Sequence, residues 1–322
     1  MRNQPSIPTR EVIIIGGGLA GLSAAIYLAR AQRDTLVIDS GHSMAVWEPD
    51  VQNYLGFPGG IAGEELLRRG QDQARRYGAE LVEDQIDAAT LHDGRFTLTG
   101  KKASYQSRRL LLATGIYHIP PEIEGVEECI GHSMFFCKDC DGYRVRGKTI
   151  FIYGWNNEAV EYALAMLHYS PAVAVATDGR ASKWDAAHDQ WLREYAIPVY
   201  AARILRLKYC KHQVRSLLLA DGQELFLDAL FTTRGDIYFN KLATNLGAKL
   251  DAAGQIEANH NQATTVPGLY AAGCVTPANC QMIIAAGQGA VAAQAINRDL
   301  FEESLATHSL RRFRAQQLTV AG

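Results

Sequence analysis

Two cysteines separated by two residues, Cys137-Lys138-Asp139-Cys140, are where this chain is best equipped for chemistry. A pair at that spacing can close a small disulfide and can lower the pKa of one thiol. Asp141 follows directly and can pass a proton to or from a thiolate. A zinc site would need a second pair of ligands. The other close pair, Cys274 and Cys280, has five residues between its members and no clear ligand histidine. The readings are therefore a redox dithiol, a zinc half-site or an inert pair, and the first is favoured; no metal is expected. Cys274 reads as a packing thiol.

A second chemical signal is Gly16-Gly17-Gly18-Leu19-Ala20-Gly21, which satisfies GxGxxG. Alone the pattern is weak. Here it follows the β-branched run Val12-Ile13-Ile14-Ile15, opens a helical pattern and has Asp39 at the end of the next strand. That context is the dinucleotide fingerprint. Gly16 permits the tight turn, Gly18 lets the backbone approach a pyrophosphate, and Gly21 lets helix and strand pack closely. The helix N-terminus offers free N–H groups and partial positive charge. Asp39 can accept hydrogen bonds from a ribose. A dinucleotide fold with a redox dithiol implies electron transfer between a bound cofactor and a disulfide. Flavin suits this because it exchanges electrons with thiols directly.

The elements that must position these groups follow from periodicity. Strand 11–15, helix 19–32 and strand 35–39 form a βαβ unit. An amphipathic helix is expected at 63–78 and short antiparallel strands at 80–112. Residues 118–125 hold two adjacent prolines, Pro120 and Pro121, and read as a linker. A second βαβ pattern has its strand at 149–153, its helix at 157–168 and its next strand at 172–177. Irregular strands fill 198–233, and a second linker-like stretch begins near 250. A last strand at 268–272 precedes a small-residue helix at 281–298. The two βαβ patterns suggest two similar domains.

Composition sets outer bounds. The chain has 322 residues, 48% hydrophobic and 20% charged, enough for about two domains and a large core. With 32 basic and 34 acidic side chains, net −2, it lacks the basic excess of a nucleic-acid binder. Six cysteines are too sparse for a disulfide-scaffolded secreted fold, so a cytoplasmic location is expected. Val12 to Ala29 carries no charge, but its strand–glycine–helix interior argues against a membrane span or signal peptide.

Taken together, IIIGGGLAGLSAAIYLAR at 13–30, NYLGFPGGIAGEEL at 53–66, ATG at 113–115, CKDCDGYRVRGKTI at 137–150, GLYAAG at 268–273 and QMIIAAGQG at 281–289 resemble the low-molecular-weight thioredoxin reductases in order and spacing. The resemblance spans most of the chain. It implies an α/β fold of two Rossmann-like, three-layer ββα dinucleotide-binding domains, one inserted into the other. The FAD-binding domain would comprise 1–117 and 250–322, and the inserted domain 118–249. It further implies a homodimer, a bound FAD and a thioredoxin-like partner. Gly16, Gly18, Gly21 and Asp39 would bind the ADP half of FAD. Leu19, Ala20, Ala113, Thr114, Gly115 and Gly273 would complete the cofactor site, with Asn53 and Gln281 near the flavin. Cys137 and Cys140 would be the redox pair and Asp141 the acid/base.

The chain departs from that family where NADPH would bind. The second glycine turn reads Gly154-Trp155-Asn156-Asn157-Glu158-Ala159, with Asn156 at the close-approach position, Trp155 in the turn and Glu158 in the first helical turn. After the next strand comes Thr177-Asp178 instead of a basic cluster, although Arg180 and Lys183 remain nearby. Side chains block the pyrophosphate, Glu158 repels it, and a 2′-phosphate lacks partners. Gly273-Cys274 replaces the family's Gly-Asp. A donor other than NADPH is expected, such as ferredoxin or a second flavin. Plant-type ferredoxin near about −400 mV lies well below thioredoxin at about −270 mV, a gap of roughly 6 kcal/mol for two electrons. The alternatives are an NADPH-dependent enzyme with an atypical pocket, or a flavin-binding regulator without turnover. Arg311, Arg312, Phe313 and Arg314 form a tail, read as a solvated terminus or as a cover for the flavin.

Overall fold

The computed structural model describes residues 7–310. The expectations for the arginine-rich tail at 311–314 fall outside them. Contacts divide the chain into two compact units. The first comprises residues up to Gly41, Gly70–Thr114 and the chain from Asn240 onward; the second comprises His42–Arg69 and Gly115–Phe239. Each is built as an α/β sandwich around a parallel sheet.

In the first unit, strand Thr9–Ile15 lies parallel between Thr35–Asp39 and Ser104–Leu112. Glu80–Glu83 extends the sheet beyond Thr35–Asp39. The long strand Ser104–Leu112 has two partners on its other edge. Its Leu110–Leu112 end pairs in parallel with Leu269–Ala271, while Ser104–Ser107 pairs antiparallel with Arg95–Gly100. Strand Ile86–His92 completes the antiparallel meander. Side chains alternate across a strand, so the β-branched run serves two cores at once. Val12 and Ile14 pack with Ala24, Leu28, Ala292 and Ile296 of the helices Leu19–Arg30 and Met282–Ala306. Ile13 and Ile15 pack with Phe96 and Leu98 of the meander, and with Leu242 and Ile256. The result is three layers: helices, parallel sheet, meander.

The second unit repeats the plan. Ile150–Tyr153 is central, with Val173–Ala176 and Val199–Tyr200 on one side and Ala229–Thr232 and Met134–Phe135 on the other, all parallel. Ile150 and Ile152 face helices Asn157–Met166 and Ala186–Glu194 through Val160, Ala163 and Leu192. Phe151 and Tyr153 face the meander Ile204–Cys210, Gln213–Leu219, Glu224–Phe226 through Ile204, Leu207 and Leu217. The fold class read from the sequence, two Rossmann-like α/β domains, is the one observed.

Element positions differ from expectation in instructive ways. The last helix runs Met282–Ala306, well past the expected end at 298. Ile296, Leu300 and Ser304 keep its buried face in phase, and Arg109 binds both Asp299 at 2.6 Å and Glu303 at 2.8 Å. Near the expected first linker, Ile116–His118 pairs antiparallel with Asp236–Tyr238. The contact-defined second unit ends at Phe239, just past this strand pair. Leu242 and Ala243 are buried with Ile256 and Leu269. Residues 42–69 group with the second unit, where the Gly131 backbone lies so close to Trp47 that a Cβ on Gly131 would meet its carbonyl oxygen at 2.0 Å. Among the described residues no helix is long and apolar enough to cross a membrane.

Candidate active site

In the first unit the glycine turn is shaped by three close approaches. Gly16 has φ +106°, and a Cβ there would meet the Ala113 carbonyl oxygen at 2.2 Å. A Cβ on Gly17 would meet the Asp39 carboxyl at 2.8 Å, and one on Gly21 would meet the Gly16 carbonyl oxygen at 1.9 Å. Gly17 N–H donates to Asp39 Oδ1 at 2.9 Å. Gly18, extended, is the N-cap of helix Leu19–Arg30 and supplies no side-chain cap, and no acidic residue sits in the first turn. From the other end of the chain, Gly273 and Gly289 both close on Ala20. A Cβ on Gly273 would lie 3.0 Å from the Ala20 Cβ, and one on Gly289 2.0 Å from its carbonyl oxygen. Gly16, Gly21, Ala20, Asp39, Ala113 and Gly273 thus converge around one uncapped helix N-terminus. This small-residue cradle, bare of competing carboxylates within the first turn, fits the pyrophosphate of a dinucleotide such as FAD. Gln281 is the N-cap of helix Met282–Ala306.

The loop between them overturns one expectation. Cys274 is not a packing thiol: it is bonded to Cys280 in a disulfide. Sequence spacing gave no geometric reason to pair them, but the turn at Gly273, φ +85°, folds the intervening loop back on itself. Gln288, part of the 281–289 motif but given no role from sequence, fixes the loop. Its Oε1 accepts the Gly273 N–H at 2.8 Å.

In the second unit Cys137 and Cys140 also form a disulfide. Cys137 is the N-cap of the short helix Lys138–Asp141, and its Sγ accepts the Cys140 N–H at 3.1 Å. Both sulfurs belong to half-buried residues. Tyr162 anchors the turn: its hydroxyl accepts from Lys138 N–H at 2.6 Å and donates to the Phe136 carbonyl at 2.9 Å. Gly142 is required because a Cβ would strike the Tyr169 ring at 2.5 Å.

Asp141 is buried, 3% exposed. Burial pushes its carboxyl up, and Arg144, bonded to Oδ1 at 2.8 Å, pulls it back down. Its other oxygen is buried without a hydrogen-bond partner. Glu48 is raised as well, by desolvation first and then by the negative charge of Asp141. Glu48, Asp50 and the Arg144 guanidinium thus act electrostatically around Asp141, the residue next to Cys140, an arrangement suited to holding a proton. Sequence reading found Asp141 but neither Glu48 nor Arg144. Asn53 lies in the same unit, on the loop before helix Gly63–Arg76.

At the second glycine turn, Gly154 packs against Thr233, and Asn156 caps helix Asn157–Met166 by accepting the Ala159 N–H at 3.2 Å. Arg180 lies over the Trp155 ring, 4.0 Å from its centroid. Glu158 occupies the first turn. Asp178 is engaged structurally, accepting from the Tyr153 hydroxyl at 2.8 Å and from Ile204 N–H at 2.7 Å. Among the described residues no group of three or more His, Cys, Asp or Glu side chains could hold a metal ion.

A CxxC disulfide beside a buried carboxyl, in a chain of two dinucleotide-type sandwiches, defines a flavoprotein disulfide oxidoreductase. The chain belongs to the pyridine nucleotide-disulphide oxidoreductase family, whose model matches residues 10–294. Within it the chain is of the low-molecular-weight thioredoxin reductase type. It is 31% identical over 296 residues to the thioredoxin reductase of Treponema pallidum, covering 88% of this chain and 95% of that one. The crystal structure of HlmI superposes with a TM-score of 0.87 at 29% identity, covering 93% of this chain and 95% of the other. The atypical thioredoxin reductase TRi from Desulfovibrio vulgaris Hildenborough is 34% identical, with a TM-score of 0.53 over 92% of this chain and 99% of that one.

Proposed function

We propose that this oxidoreductase passes electrons from FAD through Cys137 and Cys140 to the disulfide of a thioredoxin-like protein, and that its electron donor is not NADPH. In this reading 1–117 and 250–322 form the FAD domain, with the ADP half on Gly16, Gly18, Leu19, Ala20, Gly21 and Asp39. Ala113, Thr114, Gly115 and Gly273 flank it, and Asn53 and Gln281 adjoin the flavin. Residues 118–249 carry the dithiol. The enzyme works as a cytoplasmic homodimer.

FAD, when bound, would supply a two-electron store from which the Cys137–Cys140 disulfide accepts electrons directly. The chain's own residues do the rest. In the reduced pair, the Cys140 N–H supports negative charge on Cys137 Sγ. A thiolate attacks the partner's disulfide, and the remaining thiol resolves the mixed disulfide. Asp141 takes up or returns the proton that this exchange moves.

The observation that carries the donor assignment is the second glycine turn. Asn156 and Trp155 fill the approach path, Arg180 is spent on the Trp155 ring, and Glu158 sets a carboxylate where a phosphate would sit. Partial desolvation, and then the charges of Asp236 and Glu161, raise that carboxyl above its ordinary value. A donor such as ferredoxin or a second flavin replaces nicotinamide. The alternative, an NADPH enzyme with an atypical pocket, draws on Lys183, whose backbone N–H binds the Trp155 carbonyl at 2.6 Å and keeps a cation near the turn. Anaerobic flavin absorbance separates them. Bleaching by reduced ferredoxin, then reoxidation by oxidised thioredoxin, is expected. Bleaching by stoichiometric NADPH refutes the donor assignment, and a reduced flavin indifferent to thioredoxin refutes the reductase itself.

A further inference from the structure

The disulfide Cys274–Cys280 lies in the first unit, away in sequence from the CxxC, and nothing in the proposed reaction uses it. Its surroundings restrain the same loop without it. The loop it spans is held independently at several points. Gln288 Oε1 binds the Gly273 N–H, Thr276 Oγ1 donates to the Gly273 carbonyl at 2.8 Å, and Gln255 Nε2 donates to the Thr276 carbonyl at 3.0 Å. Val275 is fully buried between them. A bridge that closes so short a loop removes less freedom from the unfolded chain than one closing a long loop.

The same bond is open to exchange. Cys274 and Cys280 are both half-buried, and Pro277 and Asn279 between them are exposed. Accessible disulfides that the fold does not require are the labile ones. Cys280 also immediately precedes Gln281, the N-cap of the 25-residue helix Met282–Ala306, whose first turn carries no acidic residue. The partial positive charge of that helix end favours a thiolate at Cys280 over one at Cys274.

We propose that Cys274 and Cys280 are a second redox-active couple, reduced by dithiols independently of Cys137–Cys140. This goes beyond the function proposed above and does not require its donor assignment. A reductant thiolate attacks Cys274 Sγ, breaking the Cys274–Cys280 bond and forming a mixed disulfide. Cys280 departs as the better leaving thiolate. The reductant's second thiol then attacks its own sulfur in that mixed disulfide and releases Cys274. Two electrons move, the reductant ends as a disulfide, and its two protons balance the two new thiols.

The test uses the FAD-loaded enzyme, equilibrated without oxygen in dithiothreitol buffers of graded potential. Thiols are trapped by alkylation and read peptide by peptide. Cys274 and Cys280 should convert fully and reversibly while flavin absorbance and circular dichroism stay native. Reductive titration should count two electrons fewer in the Cys274→Ser/Cys280→Ser variant than in the parent. The Cys137→Ser/Cys140→Ser variant should lose a separate two. A Cys274–Cys280 bond that stays closed until the protein is denatured, or two cysteines already alkylated without reductant, overturns the proposal. Neither result touches the thioredoxin reductase reading. That reading fails instead if Cys137 and Cys140 never convert, whatever the second couple does.

Discussion

Arg144 Nη1 donates to Asp141 Oδ1 at 2.8 Å, so the carboxyl next to the second cysteine of the CxxC is held by a cation three residues on. The same guanidinium reaches the Gly131 carbonyl at 3.3 Å and lies 5.1 Å from the Phe135 ring centroid, which fixes its direction. Burial raises Asp141 and Arg144 opposes that rise. Arg144→Met removes the opposing charge. The pH at which Asp141 gives up its proton should move to the alkaline side by about 1–3 pH units. The pH profile of thioredoxin-disulfide reduction reads this directly. An unmoved profile would mean that Asp141 is not the titrating group.

Glu48 offers a stability counterpart. Desolvation and Asp141 keep its carboxyl above the ordinary 4.5 in the folded protein. The folded state therefore holds a proton that the unfolded chain has released, and stability falls as pH rises above that ordinary value. Glu48→Gln should flatten this decline and raise the melting temperature at alkaline pH. Melting curves from pH 5 to 9 check it, and an identical slope in the variant would count against a raised Glu48.

Gly21→Ala sets two known effects against each other. Alanine gains about 1 kcal/mol of helix propensity over glycine. The new Cβ would sit 1.9 Å from the Gly16 carbonyl oxygen, and that atom is backbone in the turn that forms the cradle. Overpacking costs about 1–3 kcal/mol, so the variant should melt several degrees lower and retain less FAD after gel filtration. A variant with parent-like FAD retention would show that the turn can yield.

Cys137→Ser and Cys140→Ser each remove one sulfur of the proposed outlet. Reduction of a thioredoxin disulfide should drop to background while the flavin spectrum persists, because the cradle lies in the other unit. Residual turnover above about one per cent in the double variant would point to a different outlet. Stopped-flow reoxidation of the reduced enzyme measures it.

Much of this architecture could be read in the amino-acid order because two periodicities change abruptly at glycine. Val12–Ile15 alternates between two cores, stops at Gly16, and gives way to the helical spacing of Leu19, Leu22, Ile26 and Ala29. The same switch occurs at Gly154. The end of the last helix was obscured because Arg298 and Asp299 resemble a solvated terminus, whereas Asp299 binds Arg109 from a strand 190 residues away. Cys137, Cys140 and Asp141 stand out by spacing alone. Glu48 does not, since the influence of Asp141 on it comes from proximity across nearly a hundred residues of chain. The Cys274–Cys280 bond escaped for a related reason. Six positions of separation have no regular geometry until the turn at Gly273 supplies one.

The pairing of Ile116–His118 with Asp236–Tyr238 ends in a hydrogen bond from Phe239 N–H to the Gly115 carbonyl at 3.2 Å. The long stretch that begins at Gly115 thus returns to within one peptide of where it started. A segment with touching ends can be exchanged as a cassette, because the host chain meets the same two attachment points whatever lies between them. Loss of a nicotinamide pocket in that cassette would leave the strands that frame the other cradle undisturbed, which makes the choice of electron source the part of such an enzyme freest to drift.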